Sequence, residues 1–106
     1  MELDYNSFID CCKEEKGKTL DTSGARAKFK VTSADYDHGI DYFLFSTQKP
    51  RNSDPKTIHK VLERYNKTSS LRPKDYNEGT MTFNASYILP LIDICVRKNR
   101  KQPKLF

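Results

Sequence analysis

The stretch RAKFKVTSADYDHGIDYFLF, residues 26–45, decides the fold because it predicts two antiparallel strands joined by a turn. Its first six residues alternate between basic and apolar side chains, which is the period of a strand with one buried face. The residues expected to face the core are Ala27, Phe29 and Val31, and those expected to face outward are Arg26, Lys28 and Lys30. Residues 35–39 are a cluster of turn formers, and residues 40–45 are the second strand. Two strands alone are marginally stable in water, so the hairpin must pack on helices or gain a third strand.

A helix is predicted on the N-terminal side of this hairpin. Asp4 or Asn6 can accept hydrogen bonds from the unpaired amides of a first turn. Gly17 can end the helix after about Lys16 in the left-handed conformation. Apolar side chains at positions 5, 8, 9 and 12 share one face of this helix, which we expect to be buried.

Two more helices are predicted on the C-terminal side. Asp54 followed by Pro55 is a strong start signal, and this helix should run to about Asn66. Its buried face is expected to consist of Ile58, Val61, Leu62 and Tyr65. The last helix begins at a cap supplied by Asn84 or Ser86 and continues through residue 96, with a proline at position 90.

These elements predict an α+β domain in the order α-β-β-α-(β)-α, with a small antiparallel sheet of two or three strands packed against three helices. The optional third strand is residues 80–83, and the polar residues 18–24 and 46–54 are interpreted as loops. Residues 1–96 are expected to form the single domain, and residues 97–106 a basic C-terminal tail that frays. A chain of 106 residues is too short for a barrel or a doubly wound enzyme.

The charge of the chain is unevenly distributed. The net charge is +5, but the last ten residues carry five basic side chains and no acidic one, so residues 1–96 hold 14 of each sign. Residues 49–74 carry eight basic and two acidic side chains, whereas residues 1–23 carry three basic and six acidic ones. Lys56, Lys60, Arg64 and Lys67 recur at spacings of four, four and three, which places them on one stripe of the second helix. We call these four residues the α2 stripe.

A basic helix stripe, a basic strand face and a basic tail are the pattern expected of a protein that contacts a phosphate backbone. We therefore expect a small non-enzymatic nucleic-acid-binding protein, with DNA or RNA as its partner and no cofactor. The predicted contact residues are Lys49, Arg51, Lys56, Lys60, Arg64, Arg97, Lys98, Arg100 and Lys101. Tyr36, Tyr42 or Tyr76 would stack on bases if they face solvent. The competing interpretation is a charged surface that is only solvated.

Two other segments could carry chemistry. Asp35, Asp37 and His38 could hold a cation or supply a general base, but the same residues are ordinary turn formers, and we predict neither a metal site nor a catalytic site. Residues 46–51 bring hydroxyls, an amide and two cations close to a predicted helix N-terminus, which favours anions.

A protein-interaction module or homodimer is the alternative function. Residues 42–45, Tyr-Phe-Leu-Phe, are apolar on both faces of the second strand. A chain this small covers both faces of a strand with difficulty, so one face would meet a second copy of the chain.

The sequence also predicts a soluble, cytoplasmic protein. No apolar run approaches the roughly 20 residues that cross a bilayer, so a membrane is not an expected partner. The N-terminus is acidic and lacks the basic and apolar regions of a signal peptide. Cys11 and Cys12 are adjacent and Cys95 lies in an apolar segment, which favours reduced, packed thiols.

Residues 45–89 resemble a segment shared by small, uncharacterised bacterial single-domain proteins. The stretches that carry the resemblance are FSTQKPR (45–51), VLERYNKTSSLRPKDY (61–76) and FNASYIL (83–89). The pattern of that group is Ser-Thr-Gly-Lys-x-Arg, Leu-x-Pro-Gly-Asp-Tyr and Arg-Asn-Ala-Ser-Tyr, and this chain departs from it at Gln48, Lys74 and Phe83. The resemblance implies a bacterial source and one small domain, and it carries no activity.

Overall fold

The computed structural model describes residues 3–22, 27–72, 75–76 and 85–101, with side chains up to residue 98. The described residues form α1 (Tyr5–Glu14), β1 (Thr19–Asp21), β2 (Lys28–Asp35), β3 (Gly39–Leu44), β4 (Lys49–Ser53), α2 (Pro55–Thr68) and α3 (Ala85–Lys101). The α+β class and the three predicted helices are confirmed. The described residues form a sheet of four strands, so the prediction of two or three strands is wrong. The predicted order of helices and strands is therefore wrong as well. The strand predicted at residues 80–83 lies outside the described residues.

The two additional strands, β1 and β4, lie in segments predicted as loops. The sheet is antiparallel in the order β1-β2-β3-β4, so both are edge strands. Their side chains are mostly exposed, and backbone pairing to β2 and β3 holds them in place. An edge strand also tolerates Pro50, which cannot donate to the ladder. Because neither strand buries an apolar face, neither has the alternation that reveals a strand in a sequence.

The N-terminal caps of α1 and α2 are the predicted aspartates. A carboxylate oxygen of Asp4 accepts a hydrogen bond from the Ser7 amide at 2.8 Å, and one of Asp54 accepts from the Thr57 amide at 2.7 Å. These hydrogen bonds lower the pKa of both carboxyl groups, because they stabilise the charged form. Local sequence therefore determines where these two helices begin.

The core lies between one face of the sheet and the three helices. The strands β2 and β3 contribute Phe29, Val31, Ile40, Tyr42 and Leu44. The helices contribute Phe8, Ile9, Ile58, Val61, Leu62, Ile88, Leu89, Leu91 and Ile92. The ring of Tyr87 in α3 lies 5.4 Å from the rings of both Phe29 and Tyr42. On the opposite face of β2, Lys28 is exposed and Lys30 is half-buried, so the alternation predicted for this strand is confirmed for these residues.

A disulfide bond joins α1 to α3, so the prediction of reduced thiols is wrong for two of the three cysteines. Cys11 and Cys95 are bonded, with their Cα atoms 6.0 Å apart across a sequence separation of 84. Successive residues of a helix point about 100° apart. Cys11 therefore reaches α3, while Cys12 is buried in the core as a free thiol whose pKa is raised by burial. The sequence alone, in which Cys11 and Cys12 are neighbours, does not show that their side chains point in different directions.

Helix α3 continues to Lys101, beyond the predicted end at residue 96. Arg97 extends it by donating from Nε to Asp93, one turn earlier, at 3.1 Å. The Lys98 ammonium donates to Glu15, the C-terminal cap of α1, at 2.7 Å and to Glu14 at 3.3 Å. The Glu15 side chain is buried, so this ion pair ties the C-terminal part of α3 to α1 alongside the disulfide.

Candidate nucleic-acid interface

The first half of the α2 stripe consists of two exposed lysines, Lys56 and Lys60, that form no ion pair with any described residue. Asp54 caps the helix and Pro55 opens it, and burial of Ile58, Val61 and Leu62 in the core leaves Lys56 and Lys60 in solvent. Neither lysine has a carboxylate oxygen within 4.0 Å among the residues that the structure describes. Hydrogen bonds from Thr57 lower the pKa of Asp54, and the charges of Lys56 and Lys60 add to this effect. The Asp54 carboxylate is thus directed at the helix terminus, and both ammonium groups remain available.

The second half of the α2 stripe makes local contacts. Arg64 donates from Nη1 to the backbone carbonyl of Asp75 at 3.3 Å. Lys67 pairs with Glu63, one turn earlier, at 3.4 Å. Both partners of that pair are more than two-thirds exposed, and exposed pairs of this kind contribute little to stability and are screened by salt. The cationic character of the stripe is therefore greatest at the N-terminal half of α2.

Lys49 and Arg51 lie on β4, the strand that leads directly into α2. Both side chains are exposed, and β4 is an edge strand that pairs with β3 alone in the described sheet. The guanidinium of Arg51 lies 5.7 Å from the ring centroid of Tyr87, a distance that permits a cation–π contact. Five of the predicted contact residues thus occupy two consecutive elements joined at Asp54.

The predicted anion loop at residues 46–51 is a different structure. Residues 45–48 form the turn between β3 and β4, with Gln48 at a φ of +53°. The strand β4 then separates Ser46 and Thr47 from the start of α2 by roughly 17 Å, at about 3.4 Å per residue. Their hydroxyls therefore do not meet the helix N-terminus, and the predicted convergence is wrong because the polar segment forms an edge strand.

The predicted contact residues near the C-terminal end of the chain differ in how strongly acidic side chains already engage them. Lys98 is engaged by Glu15, whose side chain is only 5% exposed, and by Glu14. Arg97 is 70% exposed and pairs with Asp93 on the helix surface. Arg100 and Lys101 lie in the last turn of α3. The structure thus places Lys98 in a contact between helices that sequence reasoning missed, since no local pattern links residues so far apart.

The acidic hairpin tip lies at the end of the sheet. The Asp37 amide donates to Asp35 at 2.6 Å, and Nδ1 of His38 lies 3.4 Å from Asp35. These contacts lower the pKa of Asp35, the Asp37 amide being the larger cause. All three residues are exposed in a turn rather than in a cleft. No group of three His, Cys, Asp or Glu side chains suited to a metal ion occurs among the described residues.

The tyrosines considered for base stacking occupy different environments. Tyr42 and Tyr76 are completely buried, so neither ring can stack on a base. Tyr36 is 41% exposed, with its hydroxyl donating to Asp10 and the Lys13 ammonium 4.3 Å from its ring centroid. The aromatic side chains of the sheet that do reach solvent are phenylalanines, which the sequence interpretation assigned only to a protein interface.

These phenylalanines lie on the sheet face that the helices leave uncovered. Phe43 points away from Tyr42 and Leu44, which are buried, and is half-buried itself, while Phe45 is 39% exposed. The two rings meet edge to face with their centroids 5.5 Å apart. We call Phe43 and Phe45 the aromatic pair. Side chains alternate between the two faces of a strand, so positions 43 and 45 share the face opposite to that of Tyr42 and Leu44. This alternation is the sequence signal from which their position could be predicted.

The comparisons with known proteins identify no relative. No protein-family model matches the chain, and no match was found among curated proteins or solved structures. No helix among the described residues is long and apolar enough to span a membrane.

Proposed function

We propose that this protein is a small nucleic-acid-binding domain that contacts the phosphate backbone. The contact residues on β4 and α2 are Lys49, Arg51, Lys56, Lys60 and Arg64, extended by the basic end of α3 through Arg97, Arg100 and Lys101. Lys98 is left out of this set because Glu14 and Glu15 engage it. The observation that carries the proposal is the exposure of Lys56 and Lys60 on one stripe without a carboxylate partner in the described chain.

Surface lysines without an acidic partner gain no ion-pair stabilisation in the folded protein, but their ammonium groups can bind the phosphates of a polyanion. Each lysine or arginine that neutralises a phosphate releases condensed counterions, so affinity grows with the number of contacts and falls steeply with salt. Lys56 and Lys60 are one turn apart on α2, about 6 Å along the helix axis, which is similar to the phosphate spacing of a strand. Backbone contact of this kind carries no base specificity by itself.

A homodimer is the second candidate, because the aromatic pair is exposed on an uncovered sheet face. Pairing through the β4 edge is less suitable. Pro50 interrupts the hydrogen-bonding edge, and Lys49 and Arg51 flank it, which is the combination that keeps edge strands apart. A dimer would therefore form face to face rather than edge to edge.

The test is a binding titration across a salt series. A labelled mixed-sequence duplex and a single strand are titrated with the protein by fluorescence anisotropy at several NaCl concentrations. For the wild type we expect tight binding at low salt and a linear fall of log affinity with log salt. In the double variant Lys56→Glu/Lys60→Glu, the slope on duplex should become less negative by about 1.8, since each contact contributes about −0.9.

The matched control is Lys13→Glu/Lys16→Glu, which changes the net charge equally but alters two exposed lysines at the C-terminal end of α1. It should leave the slope nearly unchanged. Absence of binding at low salt, or equal weakening by both double variants, would refute the proposed function. Sedimentation of the same samples reports whether a dimer forms instead.

A further inference from the structure

The sheet face that the helices leave uncovered has a polar half and an apolar half. Opposite one end of β3, the Ser33 hydroxyl donates to Asp41 at 2.8 Å, and the Asn52 side chain donates to the other oxygen of Asp41 at 2.8 Å. This half is polar and internally hydrogen-bonded. The other half holds the aromatic pair, so apolar surface is concentrated at one place on a face that water reaches.

A lysine ammonium lies over both rings of the aromatic pair, at the outer limit of cation–π distance. Lys30 pairs with Phe43 across β2 and β3, and its ammonium lies 5.7 Å from the ring centroid of Phe43 and 6.0 Å from that of Phe45. Lys28, the next outward residue of β2, forms an exposed ion pair with Asp21. No carboxylate lies within 4.0 Å of Lys30 among the described residues, so this ammonium is the unpaired charge next to the rings.

We propose that this half of the face binds single-stranded nucleic acid, with bases stacked on the aromatic pair and the phosphates beside them held by Lys30. The proposal rests on the proposed function, since it names the form of nucleic acid and the site of its bases. Aromatic side chains with neighbouring cations provide stacking surfaces for successive bases of a single strand. A four-stranded sheet with helices on one face and aromatic residues on the other is a known form of such a platform.

The geometry favours a single strand over a duplex. Bases of a duplex are already stacked and paired, so their faces cannot reach rings that lie on a sheet surface. The same geometry disfavours a second copy of the chain. In a two-fold dimer the same patch meets itself, which would bring the two Lys30 ammonium groups close together in a desolvated interface.

The aromatic pair is also close to the cationic edge of the sheet. Lys49 on β4 pairs with Leu44, the residue between Phe43 and Phe45. Directly opposite residues of paired strands share a face, so the Lys49 side chain leaves the sheet on the side of Leu44, whereas Pro50 is the β4 residue on the face of Phe43. A strand whose bases stack on the pair therefore meets Lys49 only where its backbone passes over the β4 edge. Arg51 is opposite Tyr42 and likewise lies on the helix side of the sheet, so the backbone contacts proposed above lie around the β4 edge from the stacking surface.

The test separates base stacking from phosphate contact. Oligothymidylate, an abasic oligonucleotide of equal length and a duplex are each titrated at low salt. We expect the wild type to bind oligothymidylate at least about fivefold more tightly than the abasic strand, the lower end of the effect of one stacked base. The variant Phe45→Leu retains an apolar side chain without a ring and should lose most of this discrimination, since Phe45 is the more exposed ring, whereas its affinity for the abasic strand and duplex should not change.

A Phe45→Trp variant provides a direct readout, because a stacked base quenches indole fluorescence. Far-ultraviolet circular dichroism of both variants checks that the fold is retained, which is expected for a side chain this exposed. Equal binding of oligothymidylate and the abasic strand, together with duplex binding, would overturn the stacking site but leave the proposed function standing. Absence of all binding would overturn both. A dimer that dissociates in Phe45→Ser would show that the face binds a second copy and would also overturn the stacking site.

Discussion

The disulfide between Cys11 and Cys95 should contribute a large part of the stability of this small domain. It closes a loop with a sequence separation of 84, which spans most of the chain. For a loop of that length, the loss of entropy in the unfolded chain is about 15 cal/mol/K, or about 4.5 kcal/mol at 25 °C. Total stabilities of domains are about 5–15 kcal/mol, so the bond is comparable with the whole.

The perturbation is Cys11→Ser. Cys11 is only partly buried, so a serine hydroxyl can be solvated there, whereas Cys95 is almost completely buried. The ion pair between Lys98 and Glu15 still joins the two helices in the variant. We therefore expect the variant to fold but to lose about 2–4.5 kcal/mol in free energy of unfolding, the lower value being typical of measured disulfides.

The assay is guanidinium unfolding followed by circular dichroism, with and without a reductant. Reduced wild type and Cys11→Ser should unfold at similar denaturant concentrations, about 0.5–1.5 M below the oxidised wild type, for a slope of about 3–4 kcal/mol/M in guanidinium. Reductant should not shift the midpoint of Cys11→Ser, which provides the internal control. Thiol titration of the denatured, unreduced wild type should find one free thiol, Cys12. Equal midpoints for oxidised and reduced wild type would refute the stability argument, and three titratable thiols would refute the bond itself.

Three further predictions concern positions where the structure makes a specific demand. Gly39→Ala should destabilise the fold by more than about 2 kcal/mol, because φ is +87° and the new Cβ would lie 2.0 Å from the carbonyl oxygen of Ser53. Gly17→Ala, at φ +86° with open space around it, should cost only about 1 kcal/mol. Thermal unfolding of both variants measures the difference, and equal losses would contradict the role of the clash. Asp54→Ala removes the cap of α2 and should cost about 1 kcal/mol in urea unfolding, while Asp54→Asn should retain most of that stability. Burial alone would raise the pKa of Glu15, but the ammonium groups of Lys98 and Lys18, at 2.7 Å and 3.1 Å, outweigh burial and lower the pKa. The contribution of Glu15 to stability is therefore present above about pH 4.5 and lost as the pH falls through the lowered value. Stability measured against pH should therefore decrease less steeply in acid for Glu15→Gln, and parallel curves would contradict this assignment.

Much of the fold could be predicted because the responsible residues are close together in the chain. Asp4 and Asp54 cap helices whose first turns follow immediately, and the alternation at Phe29 and Val31 reports a strand with one buried face. The edge strands could not be predicted in the same way, since Pro50 and its neighbours bury no face and are strands only because β3 lies beside them.

The candidate site likewise has one feature that local spacing predicts and another that only the tertiary structure determines. Helical spacing alone predicted the α2 stripe, because residues three and four apart share a helix face whatever the tertiary structure. Whether those cations are neutralised depends on which Asp and Glu side chains the tertiary structure places next to them. The structure shows Lys56 without a carboxylate partner in the described residues and Lys98 held by Glu15.

By itself, the sequence determined the helix starts, the central hairpin and the periodic faces, all of which arise from interactions over a few residues. Only the tertiary structure decided that Cys11 meets Cys95, that Lys98 meets Glu15 and that Phe43 and Phe45 share an uncovered face with Lys30. Most of these contacts join segments distant in the chain, and the uncovered face depends on where the helices pack. The packing of the whole core sets their geometry, and no local pattern encodes it.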